Sequence, residues 1–566
     1  MTSVIALAQI DVTVGDLLGN LNKIVESAEK AYQQGATILL TPELSISGYP
    51  PEDLLLRADF FQDCEKVLFN LCEKTAHLSG LHILVGHPYY CLSDNCSPTN
   101  TNDEKSILYN QAPFNRFNTV SIIVNGNVIA KYFKQILPNH AVFDEKRYFD
   151  YGLMPCVITI NQKQYGLLIC EDVWNFKCCE ATIAAGAEIL LVMNASPFHL
   201  GKFDERLEVV SRHAKQLARP IVYLNLVGAQ DELVFDGSSF VVNQDGELIF
   251  RMQQFAEICE YFDCKQFNKV AQEIIPYECD EAQVYQALVL GLRGYIKKNN
   301  FQSAVIGLSG GVDSALVLAL ASDAIGSDYV HAVMMPSPYT AEISLIDAED
   351  LRQRANIKQY DILPIHNLMK EFDQSLNKLF LNYAIDLTEE NIQSRIRATL
   401  LMAISNKLGG LLLTTGNKSE LAVGYCTLYG DMAGAFAPIK DVSKTMVYRL
   451  CHFRNHSNAF VTKNIIPDRI LTRGPSAELR ADQLDKDSLP AYSILDKIIS
   501  CYVEQGLSSI ELIQLGYEKK DVNQVLSLIK RSEFKRRQAP LGVKITRRAF
   551  GKDWRYPLTS KYIVHE

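Results

Sequence analysis

S-A-V-I-G-L-S-G-G-V-D-S-A-L-V-L-A-L-A-S-D-A, residues 303–324, is the stretch that decides the fold of the second half of this chain. It opens as a short apolar run, SAVIGL, which predicts a buried strand, and it closes as ALVLALASDA, which predicts a buried helix. Between them lies S-G-G-V-D-S, residues 309–314. Glycines at a strand-to-helix turn let the backbone approach a phosphate group closely, and the helix N-terminus favours the anion. Ser309 and Ser314 add hydroxyls, and Asp313 adds an oxygen ligand of the kind Mg²⁺ accepts. No G-K-[ST] follows, so this is not a Walker A loop.

The same rhythm runs outward in both directions. Residues 3–10 (SVIALAQI) predict a strand, 20–34 a helix closed by Gly35, and 36–41 (ATILLT) the next strand. Further short apolar runs lie at 81–86, 165–170, 188–193 and 220–226, with one more near 120–132. This alternation predicts an α/β fold. Around 250–280 the pattern weakens into polar and acidic sequence, and a helix is predicted over 281–298. The chain therefore divides into 1–260, a linker over 261–280, and 281–566.

The 566 residues are 48% hydrophobic and 21% charged, with a net charge of -9, which gives a nucleic-acid partner no electrostatic support. None of the 14 cysteines forms a C-x-x-C pair or has zinc-finger spacing. They are expected as reduced thiols in a cytoplasmic enzyme. No run approaches a membrane span of ~18 apolar residues, and MTSVIALAQIDVTVGD, with no basic start and no long apolar core, is not expected to act as a signal peptide.

Three strand ends carry chemistry. Cys170 closes YGLLIC, Glu43 follows ATILLTP, and Lys134 follows the run near 120–132. Taken singly, each has an ordinary reading as a core thiol or a solvated charge. Together they suit acyl transfer, in which a thiolate attacks an amide carbon, a carboxylate moves the proton, and an ammonium meets the oxyanion. Lys131 is a nearby competitor for Lys134.

The segments PELSISGYP, YFKQILPNHAVFDEKRYF and GLLICEDVW resemble the nitrilase superfamily, with its Glu-Lys-Cys triad. Its pattern favours Lys134 over Lys131. Within it, the chain is most similar to the glutaminase domains of glutamine-dependent NAD synthetases. That resemblance implies an α-β-β-α sandwich, catalytic Glu43, Lys134 and Cys170, and a glutamine pocket lined by Tyr49, His140, Trp174, Ser196 and Lys202. His140 stands where the family usually has tyrosine, and Lys202 where some members have arginine.

In the second half, SGGVDS resembles the signature of N-type ATP pyrophosphatases, which implies a Rossmann-like parallel-sheet domain with ATP as a substrate. The segments ENIQSRIR (390–397), LLLTTGNKSE (411–420), GYCTLYGDMAG (424–434), PIKDVSK (438–444) and 475–492 follow in order and resemble the NAD synthetase domain. The resemblance implies ATP contacts from Ser309, Gly310, Gly311, Asp313, Ser314, Thr415 and Lys444. It implies Mg²⁺ on Asp313 and Glu420, and deamido-NAD contacts from Asn391, Arg395 and Asp431. It also implies dimers of synthetase domains, perhaps in larger rings, and a protected passage for ammonia between the two sites. Three other readings stand beside it: a different carboxylate acceptor such as aspartate or a purine nucleotide, an amidase unlinked to its neighbour, and a non-catalytic scaffold.

Overall fold

The computed structural model describes residues 3–91, 115–268, 274–276, 278–476, 478–480 and 489–562. The chain forms two compact units, Met1–Gln230 with Val234–Tyr277, and Asp231–Leu233 with Glu278–Glu566.

The first unit is built on two six-stranded sheets. Its strands are β1 (Val4–Gln9), β2 (Ile38–Leu40), β3 (His82–Cys91), β4 (Asn115–Val124), β5 (Asn127–Phe133), β6 (Val157–Ile160), β7 (Lys163–Ile169), β8 (Ile189–Asn194), β9 (Ile221–Asn225), β10 (Val227–Gln230), β11 (Leu233–Asp236), β12 (Phe240–Val242), β13 (Leu248–Arg251) and β14 (Ile258–Asp263). One sheet has the order β14-β1-β2-β3-β4-β5 and the other β13-β12-β9-β8-β7-β6. Alternation along the strands makes the layers. Leu167, Ile169, Leu191 and Met193 join Ile5, Leu7, Ile38 and Leu40 in the core between the sheets. Their neighbours Leu168, Leu190 and Val192 face the other way, onto Cys179, Phe203, Val210 and Ala214 of helices. A strand apolar on both faces is the signature of a sheet covered on both sides. The covering helices are α1 (Leu17–Gln33), α2 (Ala58–Thr75), α3 (Phe176–Ala184) and α4 (Lys202–Leu217). On α1, Leu21, Ile24, Ala28 and Ala31 form the buried stripe, and the Asp16 side chain caps its first turn by accepting from Gly19 N at 3.0 Å. The unit is thus an α-β-β-α sandwich.

Two sequence expectations change. The run near 120–132 is a hairpin rather than one strand: Val124 pairs with Asn127 across Asn125 (φ 48°) and Gly126 (φ 75°). Asn-Gly is the pair that tolerates the left-handed conformations a two-residue hairpin turn demands. The weakening pattern after 250 also hides an element. Ile258–Asp263, which straddles the expected boundary between the first domain and the linker, pairs antiparallel with β1 as a half-buried edge strand. Twelve described cysteines carry free thiols, whereas Cys91 is disulfide-bonded. This corrects the expectation of reduced thiols throughout.

The second unit holds β15 (Ala304–Gly307), β16 (Val330–Met334), β17 (Gln359–Ile362) and β18 (Leu411–Leu413), all parallel in the order β17-β16-β15-β18. Its helices include α5 (Asp280–Lys298), α6 (Val312–Ile325), α7 (Glu342–Arg354), α8 (His366–Phe380), α9 (Leu387–Leu408), α10 (Lys418–Val423) and α11 (Lys444–His456). α6 is apolar all round because α5 and α11 pack against it, and residues 314–321 are all buried. The strand order reverses between β15 and β18. At such a switch point a crevice opens at the carboxyl ends of the strands.

Gly86 of β3 fixes the loop that carries Glu43. A Cβ there would stand 2.5 Å from both Leu44 N and Pro42 O, and Gly86 O accepts from Ile46 N at 3.0 Å. Gly86→Ala is expected to destabilise the first unit by about 1–3 kcal/mol, the usual cost of overpacking. Denaturant unfolding followed by near-UV circular dichroism checks this, and an unchanged midpoint rejects it.

Candidate active sites

In the first unit β7 ends at Ile169, and Cys170 then takes φ 45° to open a 3-10 turn, Cys170–Trp174. The left-handed region costs a residue with a Cβ on the order of 1–2 kcal/mol, so the turn must be held. Asp172 holds it. Its buried carboxylate accepts from Ile169 N at 3.0 Å, Tyr132 OH at 2.8 Å, Gln135 N at 3.0 Å and Ile136 N at 2.8 Å. One side chain therefore latches the thiol elbow to the segment on either side of Lys134.

Lys134 is fully buried. Its Nζ donates to Glu43 Oε1 at 2.6 Å and to Glu145 Oε1 and Oε2 at 2.9 and 2.8 Å. Glu43 also accepts from Asn118 Nδ2 at 2.8 Å and from Ala195 N at 3.0 Å. Tyr49 OH donates to Glu145 Oε1 at 2.9 Å. Burial alone would lower the Lys134 ammonium, but Glu145 and Glu43 hold it well above the usual lysine range. Burial, with Glu43 close by, pushes the Glu145 carboxyl up against the pull of Lys134. Burial and then the charge of Glu43 push the Cys170 thiol well up, with Lys134 opposing. The resting thiol is therefore protonated, and it needs a base at the moment of attack.

The structure thus brings Glu43, Lys134 and Cys170 into one electrostatic cluster. Lys131 lies outside it, with its Nζ over the Tyr89 ring at 3.7 Å. Tyr49 reaches the cluster through Glu145. Lys202 Nζ sits 4.3 Å from the centroid of Trp174 and 3.2 Å from Glu205 Oε2, and burial lowers its pKa. Ser196 is buried, and its hydroxyl accepts from Arg206 Nε at 3.1 Å. His140 is exposed, and its ring packs edge-on to Phe143 at 5.8 Å. Glu145, Asn118, Asp172 and Arg206 were not singled out from sequence. Glu145 stood inside the quoted FDEKRYF run, but nothing in its spacing separates it from Asp144. Arg206 is buried, pairs with Asp236 at 2.8 Å and donates to the carbonyls of Ser196 and Pro197.

In the second unit the serines of the turn between β15 and α6 bond to each other, Ser309 Oγ to Ser314 Oγ at 3.1 Å, and Ser309 Oγ accepts from Gly311 N at 3.2 Å. Gly310 has φ 78°, and a Cβ there would stand 2.4 Å from Ser344 O, so only glycine fits. Asp313 lies in the first turn of α6. It accepts from Asn417 Nδ2 at 2.9 Å and from Lys444 Nζ, which also donates to Glu420 Oε1 at 2.9 Å. Burial would lower the Lys444 ammonium, but Asp313 and Glu420 hold it well above its ordinary value. Asn417, missed in the sequence, caps α10 and also positions Asp313.

Asn391 accepts from Thr427 Oγ1 at 2.8 Å, and Asp431 accepts from Thr427 N at 2.6 Å, so α9 meets the 427–431 loop. Asn391, Thr415 and Asp431 line a cavity of about 1290 Å³ together with Ser309, Glu420 and Lys444. Arg395 is exposed and donates to Leu428 O at 3.2 Å, whereas Arg397, two residues on, lines the cavity. Within 475–492, residues 477 and 481–488 lie outside the described residues.

Comparison with known proteins agrees with this division. Residues 4–263 match the carbon-nitrogen hydrolase family and residues 284–539 the NAD synthase family. A glutamine-dependent NAD(+) synthetase of Acinetobacter baylyi is 42% identical over 558 residues, 98% of each chain. One from Thermotoga maritima is 39% identical over 594 aligned positions, covering 99% of this chain and 98% of that one. The solved glutamine-dependent NAD+ synthetase of Acinetobacter baumannii, in complex with ADP, superposes with a TM-score of 0.76 at 38% identity over both chains in full. By these likenesses, which span both units, the chain belongs to the family of glutamine-dependent NAD(+) synthetases.

Proposed function

We propose that this chain releases ammonia from glutamine in its first unit and uses ATP in its second to join that ammonia to the carboxylate of deamido-NAD, giving NAD, AMP, pyrophosphate and glutamate. The observation that carries the reading is one chain holding both a buried Cys170–Glu43–Lys134 cluster and a phosphate loop tied to Asp313. The family's names support the choice of substrates.

In the first unit Cys170 Sγ attacks the amide carbon of glutamine while Glu43 takes the thiol proton. Lys134, kept protonated by its two carboxylates, stabilises the oxyanion, and first-turn N–H groups after Cys170 assist. The C–N bond breaks as Glu43 passes its proton to the leaving ammonia. Glu43 then activates water to hydrolyse the thioester, restoring the thiol and releasing glutamate. Tyr49, Trp174, Ser196 and Lys202 are the proposed walls of the glutamine pocket, with His140 at the position the family usually gives to tyrosine.

In the second unit the carboxylate of deamido-NAD attacks the α-phosphorus of ATP, pyrophosphate leaves, and ammonia displaces AMP from the adenylate. Ser309, Gly310, Gly311 and Ser314 present the phosphate-binding turn. Thr415 faces the nucleotide, and Asn391 and Asp431 face deamido-NAD, with Arg395 beside them. Asp313 and Glu420 are hard oxygen donors that Lys444 already holds together. Two carboxylates plus substrate phosphates suit Mg²⁺, which rarely takes an all-protein cage. Bound there, Mg²⁺ would neutralise phosphate charge. Lys444, whose charge Asp313 and Glu420 secure against the effect of burial, does the same from the protein.

Exposed apolar side chains support a homo-oligomer built on the second unit. Leu379, Leu381, Tyr383, Ile385 and Leu387, close together in sequence, are each 68–85% exposed, and Tyr383, Ile385 and Leu387 also line the cavity; exposed apolar side chains gathered in one segment favour an interaction site. Light scattering is expected to give at least a dimer, and Leu381→Glu with Ile385→Glu to shift it toward monomer; a wild-type monomer rejects the reading.

Cys170→Ala is expected to lower glutamine-dependent NAD formation roughly 10³-fold or more while ammonia-dependent formation persists. Asp313→Ala is expected to abolish both. Rescue of neither variant by ammonia rejects the division of labour between the units. Burial pushes the Asp172 carboxyl up to about 6 in spite of its backbone donors. Below that pH it takes a proton, loses acceptor capacity and releases the elbow. Glutamine hydrolysis is therefore expected to fall on the acid side with an apparent pKa near 6. Asp172→Asn should lower the plateau and remove that limb, and an unchanged pH profile would refute the latch.

A further inference from the structure

Resting on the reading of the second unit as a nucleotide-adenylating site, we propose that Gln393 and Arg397 form a nucleotide-recognition pair. Gln393 accepts a hydroxyl or amino donor of the nucleotide, and Arg397 clamps one of its oxyanions. The two residues stand four apart on α9, so they share one face of the helix, and both line the cavity. That cavity also contains Ser309, Gly310 and Gly311 of the phosphate loop.

Each side chain has a fixed half and an unmet half. Arg397 Nε donates to Met335 O at 3.0 Å, which anchors the guanidinium just beyond the carboxyl end of β16. Among the described residues no carboxylate forms an ion pair with it. The nearby acids are already engaged. Glu478 accepts from Ser344 Oγ at 2.7 Å, from Ala341 N at 3.3 Å and from Arg473 Nη2. Asp313 and Glu420 are shared by Lys444. The Nη groups of Arg397 thus form a planar fork without a counter-ion, in a place where burial lowers even an arginine to about 10, with the charge of Glu478 opposing. A desolvated cation costs free energy unless an anion completes it, and a guanidinium fork matches phosphate or carboxylate oxygens two at a time.

Gln393 supplies the second, independent observation. It is 2% exposed, and its Nε2 donates to Leu479 O at 2.8 Å. That bond fixes the amide orientation, because the carbonyl of Leu479 needs a donor. Its Oε1 is buried and has no partner among the described residues. An orphaned acceptor one turn from an unpaired guanidinium asks for a ligand carrying a donor and an oxyanion side by side. A nucleotide has both, in its ribose hydroxyls or base amine and its phosphates.

ATP and deamido-NAD share this chemistry, so binding is measured for each alone on the intact chain by calorimetry. Arg397→Ala is expected to weaken one of them roughly 30-fold or more, about the worth of a lost charge-assisted pair. Arg397→Lys, which keeps the charge and the stem but not the fork, should recover only part of that loss. Gln393→Leu should weaken the same nucleotide by a smaller factor. Glutamate release from glutamine alone should stay at the wild-type rate in all three. Loss confined to ATP assigns the pair to the phosphate donor, and loss confined to deamido-NAD assigns it to the acceptor. If Arg397→Ala and Arg397→Lys both bind each nucleotide within twofold of wild type, the proposal is overturned while the adenylating site stands. If the wild-type chain binds neither nucleotide, the reading of the second unit falls and takes the proposal with it.

Discussion

Lys134 carries a positive charge into a place from which water is excluded, and the first unit is arranged around that fact. An isolated buried ammonium is untenable, so Glu43 and Glu145 approach it from different segments of the chain. Their second oxygens and neighbours then need partners, which draws in Asn118, Tyr49 and the backbone of Ala195. Removing one member of such a cluster typically costs about 3–5 kcal/mol, because the remaining charges are left buried and unpaired. The same interlocking that makes the cluster hard to change sets a carboxylate and an ammonium within electrostatic reach of one thiol.

The second unit repeats the device with different parts. Lys444 bridges Asp313 and Glu420, which sit at the starts of two helices following two strands on either side of the switch point. In each unit a buried lysine between two acids brings distant segments into one chemical group. The surroundings differ in what they present. The first unit offers a protonated thiol on a strained turn, and the second offers an open cavity lined by glycine backbone and hydroxyls.

The sheets explain why these groups meet at all. In the sandwich, β7 and β8 are apolar on both faces, and their polar residues are confined to the strand ends, where Cys170 and the Ala195–Ser196 loop lie. In the parallel sheet, the ends of β15 and β18 place the phosphate loop beside the turn that leads to Glu420. Chemistry collects at strand ends because only there does a side chain leave the packed layers without leaving the protein.

The sequence by itself determined most of the core strands, the order of the two units, and the residue types of the two constellations: a thiol, a carboxylate and a lysine at strand ends, and a glycine-serine turn between a strand and a helix. These are written locally, in apolar runs and in short motifs whose residue types the chemistry requires. Tertiary structure decided the rest. Glu145 became a partner of Lys134, and Asp172 became the latch of the elbow, only because folding brought Gln135, Ile136 and Tyr132 to them. Arg397 rather than Arg395 came to face the cavity because helical rotation over two residues is about 200°. Ile258–Asp263 became a strand through pairing with β1, which its own half-polar sequence does not announce. A short-range pattern records what a segment is, and the partner that long-range folding supplies determines what its charges do.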